Sequence, residues 1–465
     1  MSACTAPAEA PSEAAVSRTA SSSRRPPIHP WSEADRRRVR ATVDESLRSP
    51  YFAAAGVALA GDDGELIYGR NAQHDYAPAS TLKAIVAAVA LGRLGTKARL
   101  ETRFESLEQP DAVGTIDDLW LVGGGDPVLD PDQLKGGVGA LFARGVRHIT
   151  GDLIVDATSF REPEQNPAWA PDDFEYEYAA GTSPISLNWD VIEFKIAPTQ
   201  IGAPARVRVF PASSDVVVRG APTTGYGTLL RITRSAPGRN EFVVEGTIAP
   251  GGEQSFFRPV VGIPMWAGLV AGQMLRDRGI ALDGEVRLGE DPHAMQTLWD
   301  HRSPPLAKMV KQMLFESDNH IAEQLLGVIG GPAAAKAYLE QLGIAEPGLR
   351  LVDGSGLAES DRVAPQTFVQ LLQAAARSPF GETYVTSLPR AGIEGTVRHH
   401  DLHAALGLVR AKSGHIADVN ALVGYVDSRR HGKLAFAFLV NAPGADDATS
   451  IQVGIDRMLD ALALL

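Results

Sequence analysis

Ser80-Thr81-Leu82-Lys83, followed at once by Ala84-Ile85-Val86-Ala87-Ala88-Val89-Ala90-Leu91, is the stretch on which the reading turns. The spacing predicts a helix over Ser80 to Leu94 with apolar residues on nearly every face, so it belongs inside a core. Residues three apart share a helix face, which sets Lys83 alongside Ser80 one turn later. A serine hydroxyl is a poor nucleophile until a base takes its proton. A lysine can be that base only while its amine is neutral, and burial favours the neutral form. Ser80 at the helix start also has free backbone N–H groups and the positive dipole end, which suit a developing oxyanion. Against a chance surface pair stands one fact: this is the only Ser-x-x-Lys in the chain.

Two distant strings fit the same chemistry. Ser317-Asp318-Asn319 places a hydroxyl that would hydrogen-bond the lysine and relay a proton to a leaving amine, and a carboxamide suited to a substrate peptide bond. Ser186-Leu187-Asn188 has the same form but lies in a different sequence environment, and Ser317 on its own reads as a helix cap. Lys412-Ser413-Gly414 closes a strand. It offers a cation, a hydroxyl for a substrate carboxylate, and a glycine that lets a ligand approach the backbone. The Lys412 charge would also help to keep Lys83 neutral, and His415 could lend its N–H as a second oxyanion donor.

Around these strings the 465 residues are too many for one ordinary core. With 44% hydrophobic and 22% charged residues the composition is globular, and a net charge of -12 argues against a nucleic-acid partner. Residues 1–30 read as an Ala/Ser/Pro-rich tether without period. Trp31 to Lys97 begins a folded part: a polar helix over Glu33 to Ser46, then a hairpin of Ala53–Ala60 and Glu65–Tyr68. From residue 99 to 257 short strands dominate, at Asp118–Val122, Leu153–Val155, Val191–Ile196, Arg206–Phe210, Leu229–Thr233 and Glu241–Gly246. Helical periodicity returns over Trp266–Arg278 and Leu306–Gly327, and residues 258–465 end in three strands and a helix from Ile451 to Leu464. The fold class is therefore α+β: a helix-and-sheet domain, residues 31–98 and 258–465, split by a β-rich insertion that holds none of the three strings.

Taken together the strings resemble the active-site serine D,D-peptidases, and among them the class C low-molecular-mass penicillin-binding proteins. Leu119–Leu129, Ile149–Phe160, Ser317–Leu326, Asp353–Leu357 and Ser387–Thr396 add to the resemblance, which runs from about Trp31 to the C-terminus. It implies a penicilloyl-serine-transferase-like (β-lactamase-like) catalytic domain with a five-stranded antiparallel sheet between helices. It also implies D-alanyl-D-alanine carboxypeptidase or endopeptidase activity on peptidoglycan stem peptides, inhibition by β-lactams, no cofactor and no metal. Ser80 would be acylated, with Lys83 as base, Ser317 and Asn319 as second motif, and Lys412, Ser413 and Gly414 as third. Ser413 replaces the usual threonine and keeps its hydroxyl. Ala358-Glu359 stands where the family commonly has Ser-Arg, so a cation is lost there.

Other chemistries fit less well. A β-lactamase needs a positioned deacylating water, and no Glu-x-x-x-Asn element stands in a suitable context. A non-catalytic peptidoglycan-binding protein would not need every catalytic group intact. His399, His400, Asp401 and His403 read as a solvated loop before a metal site. Met1-Ser2-Ala3-Cys4 resembles the end of a lipoprotein signal without its apolar stretch; Cys4 reads first as an incidental cysteine of the tether, with a membrane anchor as the alternative, and a cell-envelope location is expected.

Overall fold

The computed structural model describes residues 28–293, 295–344, 346–443 and 448–465. A five-stranded antiparallel sheet runs in the order Val409–Ile416, Val419–Ser428, Gly432–Asn441, Ala55–Ala60, Leu66–Arg70. The N-terminal hairpin thus joins the last strand of the chain, with Ala55 opposite Val440 and Ala60 opposite Ala435. Alternation along these strands separates two faces. Val57, Leu59, Phe436 and Phe438 enter a core shared with Val39 and Val43 of the helix Glu33–Ser46 and Ile455 and Leu459 of the helix Ala448–Leu464. Ala58, Ala60, Ala435 and Ala437 face the other way, toward Ile85 and Val89 of the helix Leu82–Leu94. Small residues there admit a helix whose residues from Leu82 to Leu91 are all buried, as its all-round apolar pattern predicts.

Leu100 and Ser303 form the neck of the insertion: Ser303 N–H donates to the Leu100 carbonyl at 2.9 Å and Leu100 N–H to Ser303 Oγ at 2.9 Å. Inside that neck Glu101–Ser106 pairs with Gln296–Arg302 in a five-stranded sheet completed by Leu119–Gly123, Leu153–Asp156 and Val286–Leu288. The helix Ile263–Arg278 lies on this sheet, because Gly268 leaves no room for a Cβ beside Val155 and Val286. The division expected at residue 257 therefore falls too early. Periodicity finds that helix but cannot say which core its apolar face serves. A second helix, Pro131–Ala143, makes the insertion less purely β than its sequence texture suggests.

One local expectation also changes. The helix expected over Leu306–Gly327 is two helices, Leu306–Glu316 and Asn319–Val328. Ser317 takes left-handed angles, φ 61 and ψ 37, and ends the first; Asp318 caps the second by accepting the Ile321 N–H at 2.9 Å. The His399–His403 segment is the solvated loop expected, with His399, Asp401 and His403 exposed, and it is tied down at its backbone and at His400. His400 Nδ1 lies 2.5 Å from Asp456 Oδ1, and Asp460 accepts the His403 and Ala405 N–H groups, so the last helix holds the segment down.

Candidate active site

Three segments meet at Lys83. Ser80 sits in the tight turn Ala79–Thr81 that runs into the buried helix, and the Lys83 side chain one turn on is fully buried. Its Nζ lies 2.8 Å from Ser80 Oγ, 2.7 Å from Asn319 Oδ1 and 2.7 Å from the Ser355 carbonyl oxygen. Burial lowers the amine to about 8, opposed by the carboxyl groups of Asp353, Glu323 and Asp318. A neutral amine has two N–H bonds and one lone pair. The Asn319 and Ser355 oxygens can only accept, so they take the two hydrogens. The lone pair is left for the Ser80 hydroxyl, the one partner able to donate.

Of the second string, Asn319 reaches the lysine and Ser317 does not. Among the described residues the Lys83 amine has no hydrogen bond to Ser317, whose left-handed backbone serves to turn one helix into the next. The contact expected of the Ser317 hydroxyl is made instead by the Ser355 carbonyl. Sequence reasoning gave Asp353-Gly354-Ser355-Gly356-Leu357 no chemical role. Its two glycines flanking one serine were the available signal. Gly356 has φ 79, and a Cβ there would lie 1.9 Å from the Ala79 carbonyl oxygen, so this loop rests on the turn that carries Ser80.

The third string lies on Val409–Ile416, the free edge of the sheet. Ala411 N–H points outward to the Pro389 carbonyl at 3.0 Å, so by strand alternation the Ser413 and His415 N–H groups face the same open edge. Gly414 touches the nucleophile's turn: a Cβ would lie 2.7 Å from the Pro78 carbonyl oxygen and 3.1 Å from Ser80 N. Ser413 Oγ donates to Thr396 Oγ1 at 3.0 Å. Lys412 is buried and donates to the Ser413 carbonyl at 2.6 Å. Burial pushes its amine well below the ordinary lysine range, and Lys83 pushes it further. Two buried amines disfavour each other's charged form, and here the interaction expected between them is seen as the lowering of Lys412 by Lys83.

The insertion supplies walls and buttresses. Trp169 Nε1 donates to Asp353 Oδ2 at 2.9 Å, and Asn319 Nδ2 donates to the Tyr178 carbonyl at 2.9 Å. The look-alike string Ser186-Leu187-Asn188 packs behind the second motif. Ser186 Oγ lies 2.9 Å from His320 Nε2, and Trp189 Nε1 donates to Asp318 Oδ2 at 3.2 Å. Burial lowers the His320 ring to about 4, so it is neutral. A cleft of about 580 Å³ opens in front of Ser80, lined by Asn319 and His415 and walled by Trp169, Tyr178 and Leu357.

A profile of the "D-Ala-D-Ala carboxypeptidase 3 (S13) family" matches residues 39–462. The chain belongs to that family. It is 31% identical over 449 residues to a D-alanyl-D-alanine carboxypeptidase of Actinomadura sp. (strain R39), an alignment covering 90% of this chain and 83% of that protein. The D-alanyl-D-alanine carboxypeptidase DacB of Haemophilus influenzae is 28% identical over 354 residues, 70% of this chain and 72% of its own. The crystal structure of penicillin binding protein 4 (dacB) from Haemophilus influenzae has the same fold, with a TM-score of 0.77 at 24% identity over 90% of this chain and 98% of that one. This S13 chain is thus a serine-type D-alanyl-D-alanine carboxypeptidase with the penicilloyl-serine-transferase-like architecture.

Proposed function

We propose that the chain hydrolyses the terminal D-Ala-D-Ala bond of peptidoglycan stem peptides through an acyl-enzyme on Ser80. The observation that carries this is the 2.8 Å separation of Ser80 Oγ from a buried amine whose hydrogens are already engaged elsewhere. Lys83 takes the Ser80 proton as Oγ attacks the carbonyl carbon. The oxyanion is received by the Ser80 N–H and by the His415 N–H at the sheet's free edge. Lys83 then returns the proton to the departing D-alanine amine as the C–N bond breaks, and water hydrolyses the ester. Lys83 carries the proton in both directions, since its amine bonds Ser80, Asn319 and Ser355 and not Ser317.

Asn319 and the open edge of the strand hold the substrate backbone, with Gly414 keeping that edge close to Ser80. Ser413 and Lys412 receive the terminal carboxylate, whose charge favours the protonated form of Lys412 that burial disfavours. The same steps cleave a D,D-cross-link when the leaving amine belongs to a neighbouring stem peptide. Penicillins enter by the same acylation. The substrate places the enzyme in the cell envelope, with Cys4, outside the described residues, as the point of a lipid anchor; palmitate labelling that survives Cys4→Ala would sink that last part.

The test is mass spectrometry of benzylpenicillin-treated protein, together with D-alanine release from a muropeptide ending in D-Ala-D-Ala. Expected are one penicilloyl adduct on the peptide containing Ser80 and its loss in Ser80→Ala. An adduct elsewhere, or none, overturns the assignment.

A further inference from the structure

Lys83 is aimed by two acceptors, and one is a backbone carbonyl that must itself be held in place. Ser355 lies in an irregular loop, yet it is fully buried and the N–H groups from Gly354 to Ala358 all have partners. The peptide plane carrying its carbonyl is fixed by Asp353, whose Oδ1 accepts the Gly356 N–H at 2.7 Å. The plane before it is fixed by Glu323. Both Glu323 oxygens accept the Gly354 N–H at 3.0 Å, and Oε1 accepts the Ser355 N–H at 2.7 Å. Glu323 stands four residues beyond Asn319 on the helix Asn319–Val328, so one helix face carries both groups that decide where the amine points.

We propose that Glu323 is a positioning residue for Lys83: by gripping the N–H groups of Gly354 and Ser355 it presents the Ser355 carbonyl to the amine and leaves the lone pair facing Ser80. This rests on the Ser80–Lys83 reading above. Its contribution is reach, not charge. A carboxylate so near Lys83 favours the ammonium form, which is useless as a base. Burial, and then Asp353, push the Glu323 carboxyl up to about 8, so at neutral pH its main form is an uncharged acid that still accepts both N–H groups.

Two substitutions separate reach from charge. Glu323→Gln keeps the length and an accepting oxygen and can never become charged. Glu323→Asp keeps an ionisable carboxyl and withdraws it by one methylene. Both are compared with the parent in stopped-flow acylation by a fluorescent penicillin, resolving non-covalent affinity from the limiting acylation rate, with thermal midpoints measured in parallel. Misplacing a reacting group by about an ångström costs roughly a hundredfold, so Glu323→Asp is expected to lose at least about tenfold in limiting rate with affinity unchanged. Glu323→Gln is expected within about threefold of the parent. The proposal is overturned if Glu323→Asp acylates as fast as the parent, or if Glu323→Gln falls as far as Glu323→Asp. A parent that is never acylated removes the Ser80 reading and this one together. A parent that is acylated beside an unaffected Glu323→Asp removes this one alone.

Discussion

Lys83 and Asn319 are 236 residues apart in the chain and 2.7 Å apart in space. The contact ties the helix that follows the nucleophile to the part of the catalytic domain that returns after the insertion. It also consumes one hydrogen of the amine. Ser355 consumes the other, and the direction of proton transfer follows from that count rather than from any shift in acidity.

Acylation should therefore follow the neutral fraction of Lys83. Burial lowers the Lys83 amine to about 8, so the limiting acylation rate rises with pH and levels off with a midpoint near 8. Lys83→Met, which fills the buried site without an amine, should cut that rate by at least about a thousandfold. The variant should remain folded by circular dichroism, although the Asn319 and Ser355 oxygens lose their donor. A profile that declines as pH rises toward 8, or appreciable labelling of Lys83→Met, would count against lysine as the base.

The close approach of the edge strand to the nucleophile makes a second, steric prediction. In Gly414→Ala the new methyl would sit 2.7 Å from the Pro78 carbonyl oxygen and 3.0 Å from Thr81 N, both backbone atoms that cannot swing aside. The strand must retreat from the Ser80 turn and take the His415 N–H with it. Loss of one oxyanion donor costs roughly a hundredfold or more, so a fall of at least about tenfold in acylation is expected. Circular dichroism should show a folded protein. Acylation at the parental rate would mean that this edge does not serve the oxyanion.

Much of this was legible in the sequence. The hairpin read over Ala53–Ala60 and Glu65–Tyr68 is the strand pair Ala55–Ala60 and Leu66–Arg70, and the unbroken apolar run after Lys83 marks a buried helix. Ser80, Lys83, Asn319, Lys412 and Gly414 come together as the three strings require. What escaped depends on backbone atoms and on distant packing. No sequence pattern says that Ser355 offers its carbonyl rather than its hydroxyl, or that Ser317 adopts φ 61 and ends a helix. Nor does periodicity reveal which core receives the apolar face of Ile263–Arg278.

The look-alike string Ser186-Leu187-Asn188 gives a third prediction, because its serine is structural. Ser186 is buried and its hydroxyl meets the neutral His320 ring at 2.9 Å, directly behind Asn319. Ser186→Ala leaves a buried ring nitrogen without that partner, which costs about 1–3 kcal/mol of stability. Penicillin labelling should persist at a temperature well below the lowered midpoint. Loss of the Ser186→Ala label from a protein shown to be folded would make the string catalytic after all.

Glu323 makes the last prediction, on stability rather than rate. Its carboxyl has an ordinary value of 4.5 in the unfolded chain and is raised to about 8 in the fold. Between those values the native state holds a proton that the unfolded state has released, so this group makes stability fall as pH rises, and its contribution is level above about 8. Glu323→Gln cannot lose a proton and carries no such penalty. The midpoint of Glu323→Gln minus that of the parent should therefore grow from about pH 5 to about pH 8, by an amount on the order of a few degrees, and then stay constant. Calorimetric scans of the two proteins in matched buffers measure that difference with the contributions of all other groups cancelled. A difference that is flat across the range would place the Glu323 carboxyl at its ordinary value, charged beside Lys83. In that event the lysine would be held as the ammonium, and the neutral amine on which proton abstraction from Ser80 depends would have to arise only after substrate has entered the cleft.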